Sequence, residues 1–197
     1  MNRLILPLML CAQLALAAEV AGVKVDERVK LGSSELQLNG AGIRTRLFFK
    51  VYVGALYLPE RKSSATEVLA LRGAKRVSMA LLRDLTARQL TDALEEGIRA
   101  NSSEAELAAL KERIDALVAT MNEIGSAKEK TVITLDFLPE SGTRVTVDGE
   151  ARGKPVPGED FFVALLRIWA RREAGRRRLE ESHARRGTVK CSSDTSP

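Results

Sequence analysis

Histidine and tryptophan each occur once in this 197-residue chain, and cysteine twice. The lone His183 sits in a charged C-terminal stretch with no second histidine or cysteine at ligand spacing, so neither a metal centre nor a Ser-His-Asp triad has support. No cofactor is expected. Glycine-rich phosphate cradles are missing as well: Gly40-Ala41-Gly42 lacks the third glycine and opens a strand instead of a helix. The acidic pairs Glu95-Glu96 and Glu159-Asp160 are neighbours in sequence, so on a helix they diverge by about 100° and form no acid/base dyad. A charge excess of one sign is absent where it would matter. The net charge is +5, but setting aside Arg3 and the eight basic and four acidic residues beyond 169 leaves 22 of each sign. A nucleic-acid partner requires a basic face that releases counterions, and the body of this chain is neutral.

No apolar run is long enough to cross a membrane. The longest, over 4–16, spans about 13 mostly apolar residues, where a hydrocarbon core of ~30 Å needs about 20. With Arg3 before it and the small-residue pattern Ala15-Leu16-Ala17 behind it, the segment 1–17 reads as a secretory signal peptide. The expected location is therefore periplasmic, with no stable membrane insertion once the signal is removed. Leu8-Met9-Leu10 before Cys11 lacks the small residues of a lipidation site. Cleavage leaves Cys191 as the only thiol, so no internal disulfide can form and packing must supply the stability.

What the chain does have is periodicity. Val23/Val25, Leu36/Leu38, the run LFFKVYVGALYL over 47–58 and Val77/Met79/Leu81 alternate as strands. A short helix is expected over 64–71, capped by Ser64 and stopped before Gly73. Beyond Asp84 the period turns helical: Leu90, Leu94 and Ile98 share one face, and Leu107, Leu110, Ile114, Leu117 and Met121 repeat behind Ser102-Ser103. Alternation returns at Ile133/Leu135/Phe137 and Val145/Val147 around a turn at 139–142, and a helix over 159–169 closes the domain. Short turns expected at Asn39-Gly40 and Ser141-Gly142 favour an antiparallel sheet with helices on one face, the α+β class, over a doubly wound parallel sheet.

One region stands out. Between Asn39 and Glu60, two arginines and a lysine interrupt apolar strands, and Tyr52 lies mid-strand, on the side expected to carry Lys50 and Leu56. An arginine beside a tyrosine hydroxyl in an apolar pocket suits a carboxylate or phenolate. Arg44 and Arg46 could instead simply be solvent-exposed at a hairpin end, and the residues alone favour that reading without closing the other.

GAGIR followed by FKVYVGALYL, then RQLTDALEEGIRAN, the hairpin and FFVALLRIW, resembles the bacterial chalcone isomerase-like family over about residues 19–169. The resemblance implies an open-faced β-sandwich, with a large antiparallel sheet packed against helices and a ligand cleft between. Plant chalcone isomerases cyclise a chalcone there by intramolecular Michael addition. They use an arginine, a strand threonine, a helix tyrosine and asparagine, and a threonine or serine near the last helix. By that resemblance Arg44 matches the arginine, Tyr52 replaces the threonine, and the other three positions fall near Leu90, Gly97 and Ile168. The pair Arg44 and Tyr52 is more similar to that of the non-catalytic plant plastid fatty-acid-binding proteins, which grip a carboxylate with it. The resemblance therefore implies a ligand-binding protein for a fatty acid or similar amphipathic, polyphenol-like molecule. The alternatives are a weak chalcone-flavanone isomerase, an intramolecular lyase, and a structural or interaction protein docking through the helix over 104–121.

The stretch 170–197 has no apolar stripe and reads as a basic, disordered tail. Family members resemble one another in continuing with K-P-x-D-x-x-L-K. Suitable codons for REAGRRRLEES yield G-K-P-A-D-E-D-L-K-K-A in a shifted frame, so a frameshift after Trp169 is one reading and a genuine basic tail touching anionic lipid or nucleic acid the other.

Overall fold

The computed structural model describes residues 17–170. The expected leader therefore lies outside the described residues apart from Ala17, which already pairs with Asp26, and the tail beyond 170 lies outside them too.

The chain begins with a small hairpin, β1 (Ala17–Val20) and β2 (Val23–Asp26), followed by β3 (Arg28–Leu31), β4 (Ser34–Arg46) and β5 (Phe49–Leu58). Helix α1 (Ala65–Ala70) leads into β6 (Lys75–Leu81) and the short β7 (Leu85–Thr86); α2 (Ala87–Arg99) and α3 (Glu104–Ile124) follow. A short β8 (Ser126–Ala127), then β9 (Val132–Leu138), β10 (Gly142–Val147) and β11 (Glu150–Val156), precede the final helix α4, residues 159–170. Seven strands form one antiparallel sheet in the order β11-β10-β9-β6-β5-β4-β3, as the α+β reading expects.

Strand alternation divides the apolar side chains between two faces. Leu56 and Leu58 of β5, Val77 of β6, and Ile133 and Leu135 of β9 meet Leu94, Ile98, Leu117 and Leu165 of the helices in the main core. On the opposite face Val53, Ala55 and Tyr57 join Val25, Leu31 and Leu36, a second cluster partly covered by the β1–β2 hairpin. The helices start where short polar side chains can cap them: Ser64, Thr86 and Ser103 each accept the third residue's N–H, and Glu67, Gln89 and Glu106 return the bond. Glu106 also takes a bond from Arg167, which ties α3 to α4 and, with the Ser103 N–H as the larger cause, holds its carboxyl down at about 2. The apolar stripe of α3 packs into the protein's own core through Leu110, Leu117 and Met121.

Two features of the β4–β5 hairpin differ from the sequence expectation. Asn39-Gly40 is not a turn. β4 runs straight through it, and the register shift from Leu38↔Tyr57 to Gly40↔Leu56 makes Asn39 the extra residue of a β-bulge, its Oδ1 accepting the Lys62 N–H at 2.7 Å. Apolar pairing along a thirteen-residue strand outweighs the local preference of Asn-Gly for a turn. The reversal falls instead at Leu47-Phe48, so β5 begins at Phe49 and not at Leu47. Leu47 takes φ 55°, a conformation that hairpin turns of this length usually give to Gly or Asn and that costs another residue about 1–2 kcal/mol.

Candidate functional site

The site arises from the cross-strand pair that the sequence singles out. Arg44 and Tyr52 are direct partners in the β4–β5 ladder, so both side chains leave the sheet on one face, side by side. The register then shifts to Thr45↔Lys50, which makes Val51 a bulged residue. The bulge turns both Val51 and Tyr52 toward a cavity and leaves Lys50 exposed and off its wall, so the expected alignment of Lys50 with Tyr52 does not hold. Gly54 makes room for the tyrosine: a Cβ there would lie 3.2 Å from the ring's Cε2.

The cavity has a volume of about 450 Å³ between the sheet and the helices, within the usual ~300–1,000 Å³ of a small-molecule site. Its wall is mostly apolar, with Leu81 and Leu135 from the sheet, Leu90 and Leu94 from α2, Met121 from α3 and Ile168 from α4. Leu90 and Ile168 are two of the positions at which the chalcone isomerase resemblance asks for polar catalytic groups. The third, Gly97, lies where α2 meets α4; a Cβ there would come within 3.0 Å of Ile168 Cδ1.

The polar side chains of the wall are Arg44, Arg46, Tyr52, Arg83, Gln89 and Asp92. Arg44 Nη1 is buried and has no hydrogen-bond partner among the described residues. An unpaired buried donor costs roughly 1–3 kcal/mol, so the cavity carries an unmet demand for an acceptor. The Tyr52 hydroxyl accepts the indole N–H of Trp169 at 3.0 Å, which leaves its own proton to donate. Burial raises the phenol above its ordinary value of 10.0; the Trp169 bond and the Arg44 charge oppose that rise without cancelling it. The hydroxyl thus stays protonated at neutral pH. Nearer the mouth, Arg46 faces Glu96 at 3.4 Å and Asp92 faces Arg88 at 3.7 Å, pairs exposed to solvent. Among the described residues no group of three or more His, Cys, Asp or Glu side chains could hold a metal ion.

Trp169 is the site residue that sequence reasoning passes over as the end of a helix. Its signal is its uniqueness, the single tryptophan of the chain at the tip of an apolar helix. Arg83, also on the cavity wall, was equally hidden, because it follows β6 in a short connection; its guanidinium lies over the Phe49 ring.

An open-faced antiparallel sheet packed on helices, with a mostly apolar cavity that holds an arginine–tyrosine pair, defines the class of protein. Residues 17–181 match the family model described as chalcone isomerase-like, and the chain belongs to that family. The match runs past Trp169 into the stretch where family likeness was not expected. A crystal structure of a fatty-acid binding protein from Arabidopsis thaliana is similar in fold: TM-score 0.60 at 12% identity, covering 78% of this chain and 88% of that one. No curated protein matches the chain significantly.

Proposed function

We propose that the protein binds an amphipathic acid of fatty-acid type in this cavity, without catalysis, with Arg44 as counter-ion and Tyr52 as hydroxyl donor. The observation that carries the reading is the buried, unpartnered Arg44 Nη1 in a mostly apolar wall. A carboxylate would satisfy it with a charge-assisted bond and accept the Tyr52 proton as well. The acyl chain would lie along Leu81, Leu90 and Ile168. The name of the Arabidopsis structure is in keeping with this, as is the apolar character of Leu90 and Ile168. An isomerase would need polar groups at those two walls. The leader sequence adds the proposal that binding takes place in the periplasm.

The test is a titration with a long-chain fatty acid and its methyl ester. A charge-assisted hydrogen bond is worth about 1.5–3 kcal/mol, so the acid should bind about tenfold or more tightly than the ester, and Arg44→Ala should abolish the difference. Equal affinity for acid and ester in the native protein contradicts the reading. Cyclisation of a hydroxychalcone above the spontaneous rate would favour the lyase instead.

A further inference from the structure

Four large apolar side chains are exposed among the described residues, and all four lie at one end of the β4–β5 hairpin: Ile43, Leu47, Phe48 and Phe49. Phe48 is 96% exposed and Leu47 83%. Consecutive apolar residues standing in water at a hairpin tip are unusual where the other large apolar groups among the described residues are at least partly covered. The backbone makes the arrangement more telling, because Leu47 occupies a φ of 55° where glycine would relieve strain and hide nothing. Local stability has been given up for an apolar tip.

The tip is ringed by cations. Arg46 and Lys50 flank it along the two strands, and the Arg83 guanidinium lies 5.1 Å from the centre of the Phe49 ring. The carboxylates at this end, Asp92 and Glu96 on α2, face Arg88 and Arg46, while Lys50 and Arg83 have no carboxylate partner among the described residues. Leu47 and Phe49 also form part of the cavity wall, so the tip stands at the mouth of the site.

We infer that this hairpin tip docks the protein reversibly on the surface of an anionic lipid bilayer, with Phe48 and its neighbours entering the headgroup region and the cation ring meeting the lipid charge. An apolar wedge surrounded by positive charge complements that interface: the apolar side chains leave water as the cations meet phosphate. Docking there turns the cavity mouth toward the bilayer, from which an acyl ligand could enter without crossing water. That last consequence rests on the binding function proposed above; the docking itself does not.

The experiment measures binding of the full chain, without added ligand, to vesicles of phosphatidylcholine containing phosphatidylglycerol and to vesicles of phosphatidylcholine alone. Phe48 is not part of the cavity wall, so Phe48→Glu perturbs the tip alone. It should weaken binding to anionic vesicles about tenfold or more, and raised salt should weaken the native protein's binding. Phe48→Trp should bind as the native protein does. Its added fluorescence should shift to the blue and be quenched by lipids brominated near the headgroup end of the acyl chain. Position-specific quenching separates the tip from any attraction of the basic C-terminal stretch. Equal vesicle binding by Phe48→Glu, or no bromolipid quenching of Phe48→Trp, overturns the inference. So does a change of oligomeric state in Phe48→Glu with vesicle binding intact, which would assign the tip to a second copy of the chain. Fatty-acid affinity in solution, measured on the same proteins, separates the two proposals: its absence from both counts against the cavity reading and leaves docking to the vesicle data.

Discussion

Replacing Tyr52 by phenylalanine removes one oxygen, and the structure says what it leaves behind. The Trp169 indole N–H, which donates to that oxygen at 3.0 Å in a partly buried position, loses its acceptor. A stranded donor costs roughly 1–3 kcal/mol when fully buried, and partial access to water places this one near the lower end, about 1–2 kcal/mol. Trp169→Phe loses indole packing as well as the bond, yet it leaves no stranded donor, since the Tyr52 hydroxyl can turn to water. The double variant should therefore be less destabilised than the sum of the single ones, with a coupling of about 1 kcal/mol. Urea unfolding of the four proteins gives the cycle, provided the slopes agree so that the midpoints report stability alone. A coupling indistinguishable from zero would mean that the two side chains do not meet as described, and the tyrosine would lose the neighbour that fixes its orientation. Fatty-acid affinity should follow a different pattern, falling more in Tyr52→Phe, which removes the hydroxyl donor, than in Trp169→Phe, which keeps it but loosens its orientation.

Other outcomes follow from groups away from the cavity. Lys75 is fully buried, with Nζ held by Glu159 at 3.0 Å and the Gly73 carbonyl at 3.1 Å, and burial lowers its pKa. Glu159→Leu should cost about 3 kcal/mol by leaving that ammonium without its carboxylate, and adding Lys75→Met should recover most of the loss; chemical denaturation reads both. Burial first, then the Asp26 charge, pushes the Tyr57 phenol up to about 12 against the opposing pull of Arg76. Above pH 10 the unfolded chain therefore loses this proton before the folded one does. The associated stability, roughly 2–3 kcal/mol, should be complete below pH 10 and disappear as the pH rises toward 12. Thermal melting across that range should fall more steeply for the native protein than for Tyr57→Phe.

The fold was legible wherever one face of an element is buried. Alternation at Val77/Met79/Leu81 and Ile133/Leu135/Phe137 marks β6 and β9 because every second residue there enters the main core. Ser64 announces α1 because its cap is local chemistry. β11 escaped for the opposite reason: EARGKPV is an exposed edge strand with a proline, and such strands carry no apolar alternation. Its turn was in plain sight, since Asp148-Gly149 adopts φ values of 50° and 85° and closes the β10–β11 hairpin. Asn39-Gly40 carries the same kind of signal and is a bulge, because the strand on each side already has an apolar partner in β5. At the site, Arg44 and Tyr52 stood out as polar groups in apolar strands. Their pairing could not be read, because it depends on two register shifts that no periodicity encodes. The Trp169 contact spans 117 positions and exists only once α4 has folded back across the sheet.

The central claim is that the cavity holds an acid on Arg44. Native mass spectrometry of the protein purified from cells, followed by lipid analysis of whatever comes with it, tests that most directly. The account predicts a co-purified fatty acid that is lost from Arg44→Ala. A protein that emerges empty and stays empty when offered the acid would contradict it, as would an acid retained equally by the native protein and the variant.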